Sequence, residues 1–169
     1  MKKLVIFFTL VIAVIFSSCV TAKKDDLCFS EQSVVLEATK QGRGFSDIRI
    51  VRRFGETRNV FTGEPYFCDH VAYPYYSIRK FCSALDGEVT EMRGFGDNKA
   101  DASVTVKTGN LEIEYFGYFR FPENLNVGDK IKKGTCLGIM FGGGETGMVL
   151  HLRTRYNGRL VDPEQFFLK

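Results

Sequence analysis

The most informative segment of the sequence lies near the C-terminus and reads Val149-Leu150-His151-Leu152-Arg153-Thr154-Arg155-Tyr156-Asn157-Gly158-Arg159-Leu160-Val161-Asp162-Pro163. Residues 149–156 predict a β-strand, and Asn157-Gly158 predicts the tight turn that ends it. Further short strands are predicted upstream at Gly87–Met92, Ala102–Thr108, Leu111–Phe119 and Cys136–Phe141. Because turn residues such as Gly109-Asn110 recur between these strands, the chain is predicted to be an all-β sandwich or barrel.

The remaining segments give less regular patterns. Asp47–Arg53 alternates in part and predicts another strand, whereas Glu31–Lys40 is the one segment that predicts a helix. Pro163–Leu168 predicts a final turn. No internal repeat or linker divides residues 30–169, so these residues are expected to form one domain.

The composition excludes several classes of protein. Of the 169 residues, 44% are hydrophobic and 25% are charged, which excludes a disordered chain, a collagen and a membrane protein with many spans. The net charge of +3 is too small to predict a nucleic-acid partner. Arginines cluster in residues 43–58, and we interpret this basic segment as a solvated face rather than a site for an acidic polymer.

Residues 1–22 are predicted to be a signal peptide. Lys2 and Lys3 precede the apolar run Leu4–Phe16, and small residues follow it. The run is too short to span a bilayer core of about 30 Å. Two processing routes stay open: cleavage after Ala22, or cleavage before Cys19 with a lipid on Cys19 as the only membrane contact. The alternative is a buried N-terminal helix.

Four cysteines lie beyond this segment: Cys28, Cys68, Cys82 and Cys136. In an exported chain an even number of cysteines predicts disulfides, and three connectivities are open. None of the four has a CxxC spacing, which argues against a zinc ribbon or a thioredoxin-like site.

The order of several elements resembles one family. These elements are the hairpin Asn126–Gly134, the glycine loop Gly142–Gly147, the strand at His151, the Asn157-Gly158 turn and Val161-Asp162-Pro163. Upstream, Phe54-Gly55, Arg58, Phe61-Thr62-Gly63 and Asp86-Gly87 extend the match. Residues 48–169 thus resemble the LytM/lysostaphin-type zinc metallopeptidase domain (the M-twenty-three peptidase family, duplicated hybrid motif). The resemblance implies a small antiparallel fold of two sheets, here with a short N-terminal helix and an N-terminal extension at residues 23–47.

The resemblance also assigns the functional positions of the family. They fall on Cys68 and His151 as metal ligands, on Ala72 for the aspartate ligand, and on Val149 and Gly117 for two assisting histidines. His151 alone keeps the family residue, although Cys68 can bind zinc. Ala72, Val149 and Gly117 have no side-chain donor or acceptor. His70, at a family glycine position, or Asp69 are further candidate ligands beside His151.

The resemblance therefore implies a pseudoenzyme. We expect an exported module of the periplasm, cell envelope or extracellular space that binds cell-wall peptide or glycan, or regulates an envelope hydrolase. The first alternative is a divergent zinc endopeptidase that cleaves peptidoglycan crosslinks with Cys68 and His151, and the second is a secreted cytokine-like signalling protein. In the family's register, Cys82 would pair with Cys136 and Cys28 with Cys68.

Overall fold

The computed structural model describes residues 24–38, 50–59, 61–74, 78–94, 102–141 and 149–168. This part of the chain contains thirteen strands: β1 (Val35–Ala38), β2 (Gly55–Arg58), β3 (Pro65–Cys68), β4 (Val71–Pro74), β5 (Ile78–Cys82), β6 (Gly87–Arg93), β7 (Ala102–Thr108), β8 (Leu111–Gly117), β9 (Phe119–Arg120), β10 (Lys130–Ile131), β11 (Cys136–Met140), β12 (Val149–Tyr156) and β13 (Arg159–Val161). Short 3-10 helices occupy Lys24–Leu27, Glu31–Val34 and Pro163–Phe166. The predicted signal peptide, Cys19 and the glycine loop lie outside the described residues.

The strands form two main antiparallel sheets and a separate two-stranded ribbon. The larger sheet has the order β10-β6-β7-β8-β12-β13, and β4 pairs with the first half of β12. The smaller sheet has the order β1-β5-β11-β9, and β2 and β3 form the ribbon. The predicted all-β class is confirmed. No helix in the described ranges has the length and apolar character needed to cross a membrane.

The predicted hairpin at residues 102–119 is confirmed with one difference. Strands β7 and β8 pair along their whole length, from Ala102 opposite Gly117 to Thr108 opposite Leu111. The predicted second strand is divided at Gly117 and Tyr118, and Phe119 joins the smaller sheet instead. Gly117 has a φ of 151°, which side-chain-bearing residues rarely adopt, so a glycine suits the point where the chain changes sheet.

An aromatic core packs against the smaller sheet. Phe81 stacks on Tyr115 at a ring distance of 5.8 Å and meets Phe119 edge-to-face at 4.7 Å, and all three are fully buried. A Cβ at Gly138 would lie 2.1 Å from the Phe81 ring, so β11 passes this core at a position that only glycine fills. The Tyr115 hydroxyl accepts a hydrogen bond from the Ala84 N–H (3.0 Å), which satisfies its buried oxygen.

Two predicted elements are wrong in their described parts. The helix at Glu31–Lys40 is replaced by a 3-10 turn and by β1, which pairs with β5. Val34 and Val35 are buried, and β-branched side chains of this kind fit a pleated, packed strand better than a helix. The strand at Asp47–Arg53 is represented by a single bridge between Arg52 and Ala72, while residues 47–49 lie outside the described ranges.

Candidate functional site

His151 lies between two strands of the larger sheet. Across these pairings it is opposite Phe116 on β8 and opposite Ala72 on β4. Beyond β4, the Ala72 N–H donates to the Arg52 carbonyl (2.9 Å), and the Val51 N–H donates to the Ala72 carbonyl (2.8 Å). The backbone around Ala72 is therefore fixed on both sides, and the His151 side chain has a methyl group as its cross-strand neighbour.

His70 brings a second imidazole to this place. Its ring meets the His151 ring edge-to-face, with the ring centres 4.6 Å apart. Phe116 stacks on His151 at 4.6 Å and 12° and meets His70 edge-to-face at 5.2 Å. We call His70 and His151 the histidine pair. Both histidines of the chain thus share one aromatic cluster.

The histidine pair is held in the neutral form. Burial lowers the pKa of His151 to about 3, and the nearby His70, Arg52 and Arg153 act in the same direction. Burial also lowers the pKa of His70, although its neighbour Asp69 opposes the shift. Within the described ranges, His70 Nε2 and His151 Nδ1 are both buried without a hydrogen-bond partner. An unpaired buried polar atom costs about 1–3 kcal/mol, so each of these two nitrogens lowers the stability of the folded chain.

The carboxylate beside the pair is already engaged. His70 Nδ1 lies 2.8 Å from Asp69 Oδ1, and an Arg153 N–H donates to Asp69 Oδ2 at 2.7 Å. Burial alone would raise the pKa of Asp69, but the hydrogen bonds from His70 and Arg153 together lower it. Asp69 is therefore an ionised hydrogen-bond acceptor that orients His70, since an ionised carboxylate can only accept.

Arg153 links Asp69 to a second buried carboxylate. It donates to Glu114 Oε2 at 2.9 Å, and Arg93 donates to Glu114 Oε1 at 3.0 Å. Glu114 is only 5% exposed, so its charge depends on these partners. The Arg153 guanidinium also lies over the Phe116 ring, 4.8 Å from its centre.

Sequence reasoning did not identify Arg153 or Glu114 as site residues. The sequence did contain a signal for them, because charged residues alternate with other residues along two of the strands. Glu114 lies directly opposite Arg153, and Glu112 directly opposite Arg155, on β8 and β12. Opposite charges at facing positions of neighbouring strands indicate cross-strand ion pairs, but the pairing of β8 with β12 had to be known first.

Solved structures of known proteins share this fold. The chain aligns with Csd3 from Helicobacter pylori at a TM-score of 0.56 and 22% identity, over 84% of this chain and 36% of that one. It aligns with lysostaphin at a TM-score of 0.54 and 17% identity, over 73% of this chain and 53% of that one. The chain has the lysostaphin-type peptidase fold.

A third similar structure is that of the SpoIIQ–SpoIIIAH pore-forming complex. The TM-score is 0.53 at 16% identity, and the alignment covers 79% of this chain and 90% of that one. The chain spans only about a third of the Csd3 chain that it matches. No family model and no curated protein sequence matches this chain.

A catalytic zinc in a lysostaphin-type fold needs three protein ligands and an open position for water. The residues present do not fit this set. Ala72 has no donor atom, the Cys68 thiol donates to the His70 carbonyl (3.1 Å), and Asp69 is engaged by His70 and Arg153. In the part of the chain that the structure describes, no three His, Cys, Asp or Glu side chains are grouped to hold a metal ion. The assignment of Cys68 and His151 as a ligand pair stays a prediction.

The two assisting positions show the same departure from the family. Val149 begins β12 two residues before His151, and its backbone lies opposite Pro74. Gly117 ends β8 and pairs with Ala102. The residue that faces His151 from the hairpin is Phe116, which offers a ring face and no titrating group. Neither position supplies a general base.

Among the described residues, Cys28, Cys68, Cys82 and Cys136 are not joined in disulfides. Cys82 on β5 and Cys136 on β11 are directly opposite each other in the smaller sheet. Facing residues on antiparallel strands have Cα atoms about 4.5–5.5 Å apart, within the range that a disulfide spans. The Cys82 thiol donates to the Ser33 carbonyl (3.1 Å). The predicted pairs Cys82–Cys136 and Cys28–Cys68 both stay predictions.

Proposed function

We propose that this chain is an exported, non-catalytic module with a peptidase fold, and that it binds cell-wall peptide or glycan, or a hydrolase of the envelope. The observation that carries the proposal is the pairing of Ala72 with His151. Where the family resemblance implies an aspartate ligand, this chain has a methyl group. Hydrolysis by a zinc-bound water needs a complete ligand set and a base, and both are incomplete here.

The ion pairs of two carboxylates with Arg153 add independent support for a non-catalytic role. Asp69 and Glu114 are the acidic side chains closest to the histidine pair in the contacts described above, and Arg153 donates to both. A carboxylate that is held by a guanidinium is a poor base and a poor metal ligand, because its lone pairs are already used.

The comparison with known structures supports the binding role in general terms. One of the similar structures is a complex of two proteins that forms a pore. A fold of this type can therefore work in an assembly. For this chain, we propose peptidoglycan or an envelope hydrolase as the partner. The proposed signal peptide at residues 1–22 would export the chain to the compartment of these partners.

One observation favours a second candidate function. Among the described residues, no group hydrogen-bonds to His70 Nε2 or His151 Nδ1, and a metal ion shared between them would satisfy both nitrogens. A divergent zinc endopeptidase would require a further ligand from the chain, such as Cys68. This candidate predicts one equivalent of zinc, whereas the favoured proposal predicts none.

The test compares binding with hydrolysis in the same sample. The full-length chain is sedimented with purified peptidoglycan, and the supernatant is assayed for released amino groups with and without added zinc. The proposal predicts co-sedimentation, or capture of an envelope hydrolase, with no release of amino groups under either condition. Zinc-dependent release that is lost in His151→Ala would establish the endopeptidase instead.

A further inference from the structure

A basic cleft lies beside the ribbon of β2 and β3, and its Arg52 also lies near the histidine pair. Its volume is about 630 Å³. Its lining includes three arginines and two aromatic residues, and no aspartate or glutamate: Arg52, Arg53, Arg58, Phe61 and Tyr66. We call this surface the arginine cleft. Its charge and aromatic content distinguish it from the aromatic cluster around His151.

The ribbon presents one face to the arginine cleft. Thr57 and Tyr66 lie directly opposite each other on β2 and β3, and both line the cleft. The next facing pair, Glu56 and Phe67, lies on the other face, because successive side chains of a strand alternate. There Phe67 packs edge-to-face on Phe54, with ring centres 5.2 Å apart. The ribbon is thus anchored through one face, and the other is open.

The turn that joins β2 to β3 is ordered by its own hydrogen bonds. Asn59 Oδ1 accepts from the N–H groups of Phe61 (2.8 Å) and Thr62 (3.2 Å). Arg58 donates to the Gly63 carbonyl at 3.0 Å, which holds its guanidinium at the cleft. Phe61 is 95% exposed on this turn. Phe61 and Tyr66 thus place two exposed aromatic side chains beside the arginines of the cleft.

The charges of the arginine cleft are largely uncompensated. Arg53 forms an ion pair with Glu164. Neither Arg52 nor Arg58 has a carboxylate partner within the described ranges. The backbone bridge from Arg52 to Ala72 fixes the position of Arg52. A guanidinium group can bind a carboxylate through two parallel hydrogen bonds.

The sequence alone favours a solvated face for the arginines of residues 43–58, but three of them line one cleft together with two aromatic residues. We propose that the arginine cleft binds an extended, carboxylate-rich peptide segment. The arginines would take the carboxylates, and Phe61 and Tyr66 would pack against the chain between them. Strands β2 and β3 pair only with each other in the part of the chain that the structure describes, so their outer edges can accept the main chain of a peptide. A nucleic acid cannot use these edges, and the net charge of +3 is small for such a partner.

Direct binding of a defined probe tests this proposal. Fluorescein-labelled hexaglutamate is titrated with the full-length chain, and fluorescence anisotropy is measured at low ionic strength and at about 0.15 M salt. Hexaglutamine, polyphosphate and a short single-stranded oligonucleotide serve as competitors. The double variant Arg52→Gln/Arg58→Gln removes two cleft charges. The matched control, Arg79→Gln/Arg159→Gln, removes two exposed charges outside the cleft.

The expected result is a loss of affinity for hexaglutamate of at least about tenfold in the cleft variant and less than about twofold in the control. Phe61→Ala should also weaken binding, and it cannot act through the core because this side chain is exposed. An equal loss in both double variants would overturn the proposal, because it would show only general charge attraction. Absence of hexaglutamate binding, or tighter binding of polyphosphate or the oligonucleotide, would also overturn it. None of these results depends on whether the histidine pair is catalytic.

Discussion

His151 on β12 and Ala72 on β4 are directly opposite each other, and this pairing brings an imidazole and a methyl group together at the centre of the candidate site. On the other side, Phe116 stacks on the same imidazole. A histidine between two groups without donors or acceptors must be neutral or must find a ligand from outside. This environment supports the proposal that the chain is a binding module.

Restoring a carboxylate at position 72 should create metal affinity. In Ala72→Asp, the new side chain faces His151 and adds an oxygen ligand to two unpaired imidazole nitrogens. We expect zinc to bind at least about tenfold more tightly than in the unmodified chain, as measured by competition with a chromophoric chelator. Ala72→Asn is the control, since it has a similar volume and no charge. If both variants bind zinc as the unmodified chain does, residue 72 does not face the histidine pair.

Stability should fall as the pH is lowered from neutral. The pKa of His151 is about 3 in the folded chain, below the unfolded value of about 6.5, so the unfolded state binds more protons between these values. The stability that this neutral histidine contributes is present above pH 6.5 and is lost on acidification. This group alone should reduce the free energy of unfolding by about 2 kcal/mol between pH 7 and pH 5.

Urea unfolding at several pH values measures this loss. His151→Phe preserves an aromatic ring against Phe116 and removes the titrating group, so its unfolding free energy should vary less over the same range. A slope that is equal in both proteins would show that His151 is not buried in the neutral form.

Glu114 should be more important to stability than a neighbouring surface glutamate. Glu114→Gln would leave Arg93 and Arg153 without their shared buried partner. We expect a loss of about 2–3 kcal/mol, at the lower end for a broken buried pair because Arg93 remains largely exposed. Glu112→Gln is the matched control on the same strand. Its pair with Lys107 is at the surface, so less than about 1 kcal/mol should be lost. Equal effects in urea unfolding would contradict the network.

Cys82 should react slowly in the reduced, folded chain. Burial, with a smaller contribution from Cys136, raises the pKa of the Cys82 thiol to about 11, so almost none of it is thiolate at neutral pH. Alkylation with iodoacetamide at pH 8, followed by peptide mass analysis, should label Cys82 last and only after unfolding. Rapid labelling of Cys82 in the folded state would contradict this.

In the oxidised, exported chain we expect a disulfide between Cys82 and Cys136. Their facing positions on β5 and β11 need little backbone movement for the bond to form. Mass mapping of peptides without reduction should recover this link. A link from Cys28 to either Cys82 or Cys136 would refute both predicted pairs.

The sequence predicted the positions of the strands better than it predicted which strands pair with each other. Alternation and the Asn157-Gly158 turn predicted β12 and β13, and Gly109-Asn110 predicted the β7–β8 hairpin, because these signals are local. The helix at residues 31–40 was wrong because pairing with β5 overrides local helical preference. The contact between His70 and His151 depends on the pairing of β4 with β12, which no local pattern encodes.

The site was predictable only in part for the same reason. The resemblance assigned His151, Cys68 and Ala72 to functional positions, and the structure brings Ala72 against His151. It gave no role to Arg153 or Glu114, since an ion pair across two strands is visible only once their register is known.

We propose that this peptidase fold does not carry a catalytic zinc site. The zinc content of the full-length chain tests this proposal. The chain is incubated with excess zinc, unbound ions are removed, and the bound zinc is measured by elemental mass spectrometry. We predict far less than one zinc ion per chain. The zinc content of Cys68→Ala and of His151→Ala should equal that of the unmodified chain. One zinc ion per chain that is lost in both variants would contradict the account.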